Sequence, residues 1–175
     1  MSPTKHDQIM IGRAKNALLS YFEQRLSVPK IYLDADWEGA KVDALAIDRA
    51  GVGDVSIALI VTSGDALVKR FESIKKLHTI PAHFKYLALA SEDFSEMDTS
   101  AGQDSVLRTS KAPIWFADDG VGRIGHLLID LKGERPNITV PISAERFRSN
   151  QHIYDLADAF ASSHTADFEV RESSL

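Results

Sequence analysis

Residues able to do chemistry fall into a few groups along this chain. Gly120, Gly122 and Gly125 match the pattern G-x-G-x-x-G. Such a loop cradles a dinucleotide when a strand precedes it and a helix comes after it, because the pyrophosphate then meets the helix N-terminus. The residues after the last of these glycines, 126–133, read as strand, and Pro136 comes soon after. A hairpin loop with glycines at positive-φ turn positions explains the match better than nucleotide binding. Asp34, Asp36 and Glu38 set carboxylates at alternate positions, as the start of a calcium loop does. Leu45 stands at the twelfth position, where an EF-hand loop needs a bidentate Glu, so a solvated loop is the better reading. Lys69, Arg70, Lys75 and Lys76 form the densest basic cluster and are the candidate nucleic-acid contacts. The wet face of an amphipathic helix is the competing explanation.

The histidines are His6, His78, His83, His126, His152 and His164, and none makes an H-E-x-x-H pair. His152, Asp155 and Asp158 lie on one side of an expected helix. They could contribute to a metal site, but carboxylates in the first turns of a helix also serve its dipole. Asp118 and Asp119 before Gly120 read as turn chemistry. No serine sits in a G-x-S-x-G context. The chain has no cysteine, which excludes disulfides, thiolate metal ligands and cysteine nucleophiles together.

These residues need elements to position them. Ile9 to Leu26 reads as the first helix, with Ala14, Leu18, Phe22 and Leu26 in one stripe, after a loose lead-in over residues 1–8. A short strand over 30–33, a turn or loop over 34–40 and a strand over 41–48 come next. Residues 49–54 are rich in turn formers and read as a hairpin connection. Residues 55–61 are nearly all apolar, as in a strand buried on both faces. Thr62 to Asp65 carries helix-start signals, and Leu67, Phe71, Ile74 and Leu77 then mark an amphipathic helix closed by Pro81. Residues 85–90 read as strand, and the acidic stretch 91–103 as the most loop-like region. Beyond it come a short helix at 105–110, a strand at 112–117 with 125–131 as its hairpin partner, and a short strand at 137–141. Helices at 144–148 and 152–161 precede a peripheral last dozen residues.

The 175 residues carry 44% hydrophobic and 26% charged side chains, which suits one globular domain spanning 1–175. No run approaches the ~18 apolar residues of a membrane span. The opening MSPTKHDQIM has no apolar core of a secretory signal, so cytoplasm is the expected compartment and no membrane partner is expected. The net charge of −5 lacks the basic footprint of a free-standing nucleic-acid binder.

The element order from Ile11 to Ala90 resembles the PD-(D/E)XK, or restriction-endonuclease-like, family. That core runs from a helix to a strand bearing an Asp, then to a strand bearing E-x-K, then to a helix and another strand. In this chain KVDALAIDR would be the Asp-bearing strand, with Asp43 as the metal-binding aspartate, and DVSIALIVTSG the next. The E-x-K positions fall on Leu59 and Val61, which can neither hold a divalent cation nor position a nucleophile, and which read most simply as core. Asp43 itself could instead be a polar residue on the exposed side of an edge strand.

The expected fold is thus mixed α/β, a central mixed sheet flanked by helices with a nuclease-like core. The expected function is a non-catalytic interaction or structural domain, part of a larger complex through a protein partner or self-association, with no cofactor. The alternative is a Mg²⁺-dependent nuclease with a relocated active site, using Asp43 and Asp54 as metal ligands together with Glu23.

Overall fold

The structure is a computed structural model that describes residues 4–49, 55–63, 67–92, 124–147, 156 and 165–169. Helix α1 spans Lys5–Arg25 and therefore starts at Lys5 rather than Ile9. A capping box supplies the reason. The Thr4 hydroxyl accepts from the Asp7 N–H, and the Asp7 carboxylate accepts from the Thr4 N–H. Two donors that would otherwise be orphaned are thereby satisfied, and residues expected as a loose lead-in become helical.

Strand β1 spans Pro29–Trp37 and β2 spans Ala40–Asp48. The loop expected over 34–40 therefore shrinks to a tight turn. Glu38 and Gly39 have φ of 49° and 85°, the two positive values of a type I′ hairpin turn, and Trp37 pairs directly with Ala40. The Asp36 carboxylate closes the turn by accepting from the Gly39 N–H at 2.8 Å. Strand β3 is Val55–Ser63, α2 is Leu67–Thr79, and β4 is Phe84–Ser91. Strands β5, β6 and β7 are Gly125–Asp130, Asn137–Ile142 and Phe168–Glu169.

Among the described residues these strands form a seven-stranded sheet in the order β6-β5-β4-β3-β2-β1-β7. Strands β3, β4 and β5 run parallel to one another, and the other neighbours are antiparallel. Helix α2 is the crossover that a parallel β3–β4 pair requires. Residues alternate sides along β3. Leu59 and Val61 join Met10, Ala14, Leu18 and Phe22 of α1, whereas Ala58 and Ile60 join Ile74 and Leu77 of α2. The fold is accordingly α/β, with α1 on one face of a mixed sheet and α2 on the other. No helix among the described residues is long and apolar enough to cross a membrane.

Several expectations need correction. Strand β5 lies between β4 and β6, and its antiparallel neighbour among the described residues is β6. Residues 144–147 are irregular rather than helical, and the Phe147 N–H is spent on His83 O at 2.8 Å. The C-terminal tail is less peripheral than expected, since Phe168 and Glu169 add β7 to the sheet. The expected elements at 105–110 and 112–117 lie outside the described residues, as does 152–161 apart from the buried helical Leu156.

Gly125 owes its presence to packing rather than to a positive φ. A Cβ there would lie 2.4 Å from the Tyr86 ring and 2.5 Å from the Ala144 backbone nitrogen. A strand starts at this glycine, so the dinucleotide pattern lacks the helix that would receive a phosphate. Gly120 and Gly122 lie outside the described residues.

Candidate functional site

Asp43 lies on β2, between β1 and β3, so it is not on an edge strand. Both β1 and β2 change their pattern at one place. In β1, Ile31 and Leu33 pack on the α1 side and Tyr32, Ala35 and Trp37 on the other. In β2, Ala44 and Ala46 pack on the α1 side, and Val42, Leu45 and Ile47 on the other. Strict alternation breaks between 33 and 35 and between 42 and 44. The ladder pairs Leu33 with Ala44 and Ala35 with Val42, and omits the intervening Asp34 and Asp43. Asp34 has φ 53°, a left-handed conformation that Asp tolerates better than most residues. The outcome is that both carboxylates reach the α1 side.

Lys15 of α1 meets them there. Its Nζ stands 2.5 Å from Asp34 Oδ1 and 3.4 Å from Asp43 Oδ1. Two like charges opposed across a strand pair are destabilising, and the ammonium between them reverses that. Burial alone would depress the Lys15 pKa, but the hydrogen bonds and charges of Asp34 and Asp43 outweigh it and hold the pKa above 10.5. A raised lysine pKa contributes stability below the unfolded value, and that contribution is lost as pH rises through the folded value. The ion pairs therefore contribute fully at neutral pH and fade only in strong alkali.

The second oxygen of Asp43 has a different task. The β2–β3 ladder ends at the pair Ala44 and Leu59. Just beyond it the Val61 N–H donates to Asp43 Oδ2 at 2.6 Å, so a side chain replaces a backbone acceptor where the strands part. Asp43 is about a quarter exposed, at 23%, and Asp34 mostly exposed, at 72%. Asp43→Ala would leave the Val61 N–H without its acceptor and is expected to cost about 1.5 kcal/mol. Asp34→Ala removes only a solvent-screened partner and is expected to cost about 0.5 kcal/mol or less. Urea denaturation of the two variants checks the difference.

The structure thus brings Asp43 together with Lys15 and Asp34, which no sequence pattern linked. The αL position of Asp34 and its place opposite Asp43 left no local signal in the sequence. Glu23 is exposed on α1, eight residues beyond Lys15, about 12 Å along the helix axis. Asp54 lies outside the described residues. Among the described residues no three His, Cys, Asp or Glu side chains are grouped to hold a metal. A hard divalent cation takes six or more oxygens. The residues present do not fit one as they stand, because an ammonium sits between the two carboxylates and the other Asp43 oxygen is engaged by a backbone donor. Leu59 and Val61 are buried core residues, 0% and 5% exposed.

The basic cluster divides. Lys75 and Lys76 are exposed near the end of α2, while Lys69 and Arg70 belong to α2 with side chains outside the described residues. A groove of about 420 Å³ lies beside Lys75 and Lys76, lined also by Trp37, Glu38, Gly39, Ala40 and Thr79.

Lys85 is the one buried lysine or arginine among the described residues, 4% exposed on the α2 side of β4. Its Nζ donates to His78 O at 3.4 Å and lies 4.2 Å from the centre of the Phe147 ring. A carbonyl of the last α2 turn and an aromatic face both favour a cation, so Lys85 caps the negative end of the helix. Burial nonetheless pulls its pKa down to about 8.

No protein-family model matches the chain, and no curated protein matches its sequence. Solved structures do resemble it. SPO1766, a protein of unknown function from Silicibacter pomeroyi, superposes with a TM-score of 0.52 at 11% identity, over 85% of this chain and 81% of that one. SfsA of Pyrococcus furiosus, solved in complex with Ca²⁺, gives a TM-score of 0.41 at 13% identity, over 79% of this chain and 64% of that one. The first likeness concerns the fold alone, and the second is too distant to bear on this chain's chemistry.

Proposed function

We propose that this chain is a non-catalytic interaction domain built on a degenerate nuclease-like core, working through a protein partner or through self-association. One observation carries the reading. Asp43, which the resemblance would make a metal ligand, is instead bonded, together with Asp34, to the Lys15 ammonium. Two neighbouring facts support it. Asp43 is used to terminate a strand ladder, and the family's E-x-K positions are apolar core at Leu59 and Val61. Catalysis of phosphodiester hydrolysis by this fold needs a cation that activates water and bears developing charge. An internal ammonium supplies charge balance but neither of those functions.

A second reading, a Mg²⁺-dependent nuclease with relocated ligands, draws on the same cluster, since an ammonium beside two carboxylates is also raw material for an active site. Incubation with single- and double-stranded DNA and RNA, in Mg²⁺ or Mn²⁺, separates the two. The proposal expects no cleavage by the wild type or by Asp43→Ala. Cleavage by the wild type that disappears in Asp43→Ala would replace it with the nuclease reading.

A further inference from the structure

We propose that the groove between the β1–β2 turn and the end of α2 binds a mononucleotide whose base carries an exocyclic amino group. This site lies on the α2 side of the sheet, away from Asp43, and does not depend on the reading of that cluster.

The lining residues divide the work. Lys75 and Lys76 are exposed cations at one wall, suited to a phosphate. Trp37 is partly buried against the core and lines the same space, which puts an aromatic side chain beside a bound base. Glu38 contributes an acceptor at the lip. Its φ of 49° is a conformation that a type I′ turn readily gives to Asn, Asp or Gly but not to Glu. A glutamate held in a strained conformation beside a groove points to use of its carboxylate.

Anion binding near a helix C-terminus would ordinarily be opposed by the dipole. Here three of the last four α2 carbonyls already have partners. Lys76 O accepts from the Thr79 hydroxyl at 2.7 Å, Leu77 O from the Ile80 N–H at 3.2 Å, and His78 O from Lys85. Lys85 places a buried positive charge at that end.

The choice of ligand rests on the same residues. About 420 Å³ suits one small molecule rather than a polymer. With the phosphate on the lysines, the amino group of adenine, cytosine or guanine donates to Glu38, a neutral donor that an acidic peptide side chain lacks. Uracil and thymine lack that donor.

The test is an amide NMR titration of the full chain with AMP, CMP and UMP in low salt. Expected are shifts centred on Gly39 and residues 75–79, with AMP or CMP at least fivefold tighter than UMP. Lys75→Ala with Lys76→Ala should weaken AMP tenfold or more, since both are exposed and the fold should persist. Glu38→Gly, which suits the positive φ and carries no acceptor, should leave the fold intact and bring AMP and UMP to equal affinity. The proposal is overturned if none of the three shifts these amides at 10 mM, if the lysine variant binds AMP as the wild type does, or if a short single-stranded oligonucleotide binds there and the mononucleotides do not.

Discussion

Replacing Gly125 with alanine is expected to destabilise the protein by about 3 kcal/mol, among the largest effects of any single methyl group here. The added Cβ would meet the Tyr86 ring at 2.4 Å and the Ala144 backbone nitrogen at 2.5 Å. The ring can turn away, but the backbone cannot move without disturbing the segment after β6. The two contacts can be told apart by a double-mutant cycle. In a Tyr86→Ala background the cost of Gly125→Ala should fall but not vanish, because the Ala144 contact persists. Denaturant unfolding of the four proteins gives the numbers. A cost below about 0.5 kcal/mol in the wild-type background would contradict the packing described for β4, β5 and residue 144.

Between pH 7 and pH 9.5 the protein is expected to gain about 2 kcal/mol of stability, and Lys85→Met is expected to abolish that gain. The direction comes from proton counts. Burial holds the Lys85 pKa at about 8 in the fold, against 10.5 when unfolded. Between those values the unfolded chain binds more protons, so stability rises with pH. The neighbouring titrations fall outside the window. Burial, with Lys85 nearby, lowers the His78 pKa from 6.5, so its contribution is complete near pH 7. Burial raises the Tyr32 pKa above 10.0, and Lys15 lies above 10.5, so both lower stability only at higher pH. A flat wild-type profile from pH 7 to 9.5 would show that Lys85 is not buried as described.

Much of the architecture was legible in the sequence because it rests on apolar periodicity. The stripe of Ala14, Leu18 and Phe22 and the unbroken apolar run of β3 each have one physical solution: a helix against a sheet, and a strand covered on both faces. What escaped were decisions made by a single polar contact. The Thr4–Asp7 capping box moved the start of α1, and the Glu38–Gly39 turn lengthened both strands of the first hairpin. The parallel pairing of β5 with β4 escaped because a neighbour distant in sequence leaves no local trace. The site was half legible. Asp43 could be singled out from its strand, but its partners could not. Lys15 lies on another element, and Asp34 reaches it only because both strands break their alternation at the same level.

The Lys15 ammonium bridges Asp34 and Asp43, and the proposal makes it the stand-in for a metal cation. Calorimetric titration with Mn²⁺ at pH 7 tests this most directly, on the wild type, Lys15→Met and Lys15→Met with Asp43→Ala. Expected are no binding heat for the wild type, a weak site in Lys15→Met once the two carboxylates are released, and its loss in the double variant. A wild-type site for Mn²⁺ that disappears in Asp43→Ala would contradict the assignment, and would make Asp43 a metal ligand in the native protein.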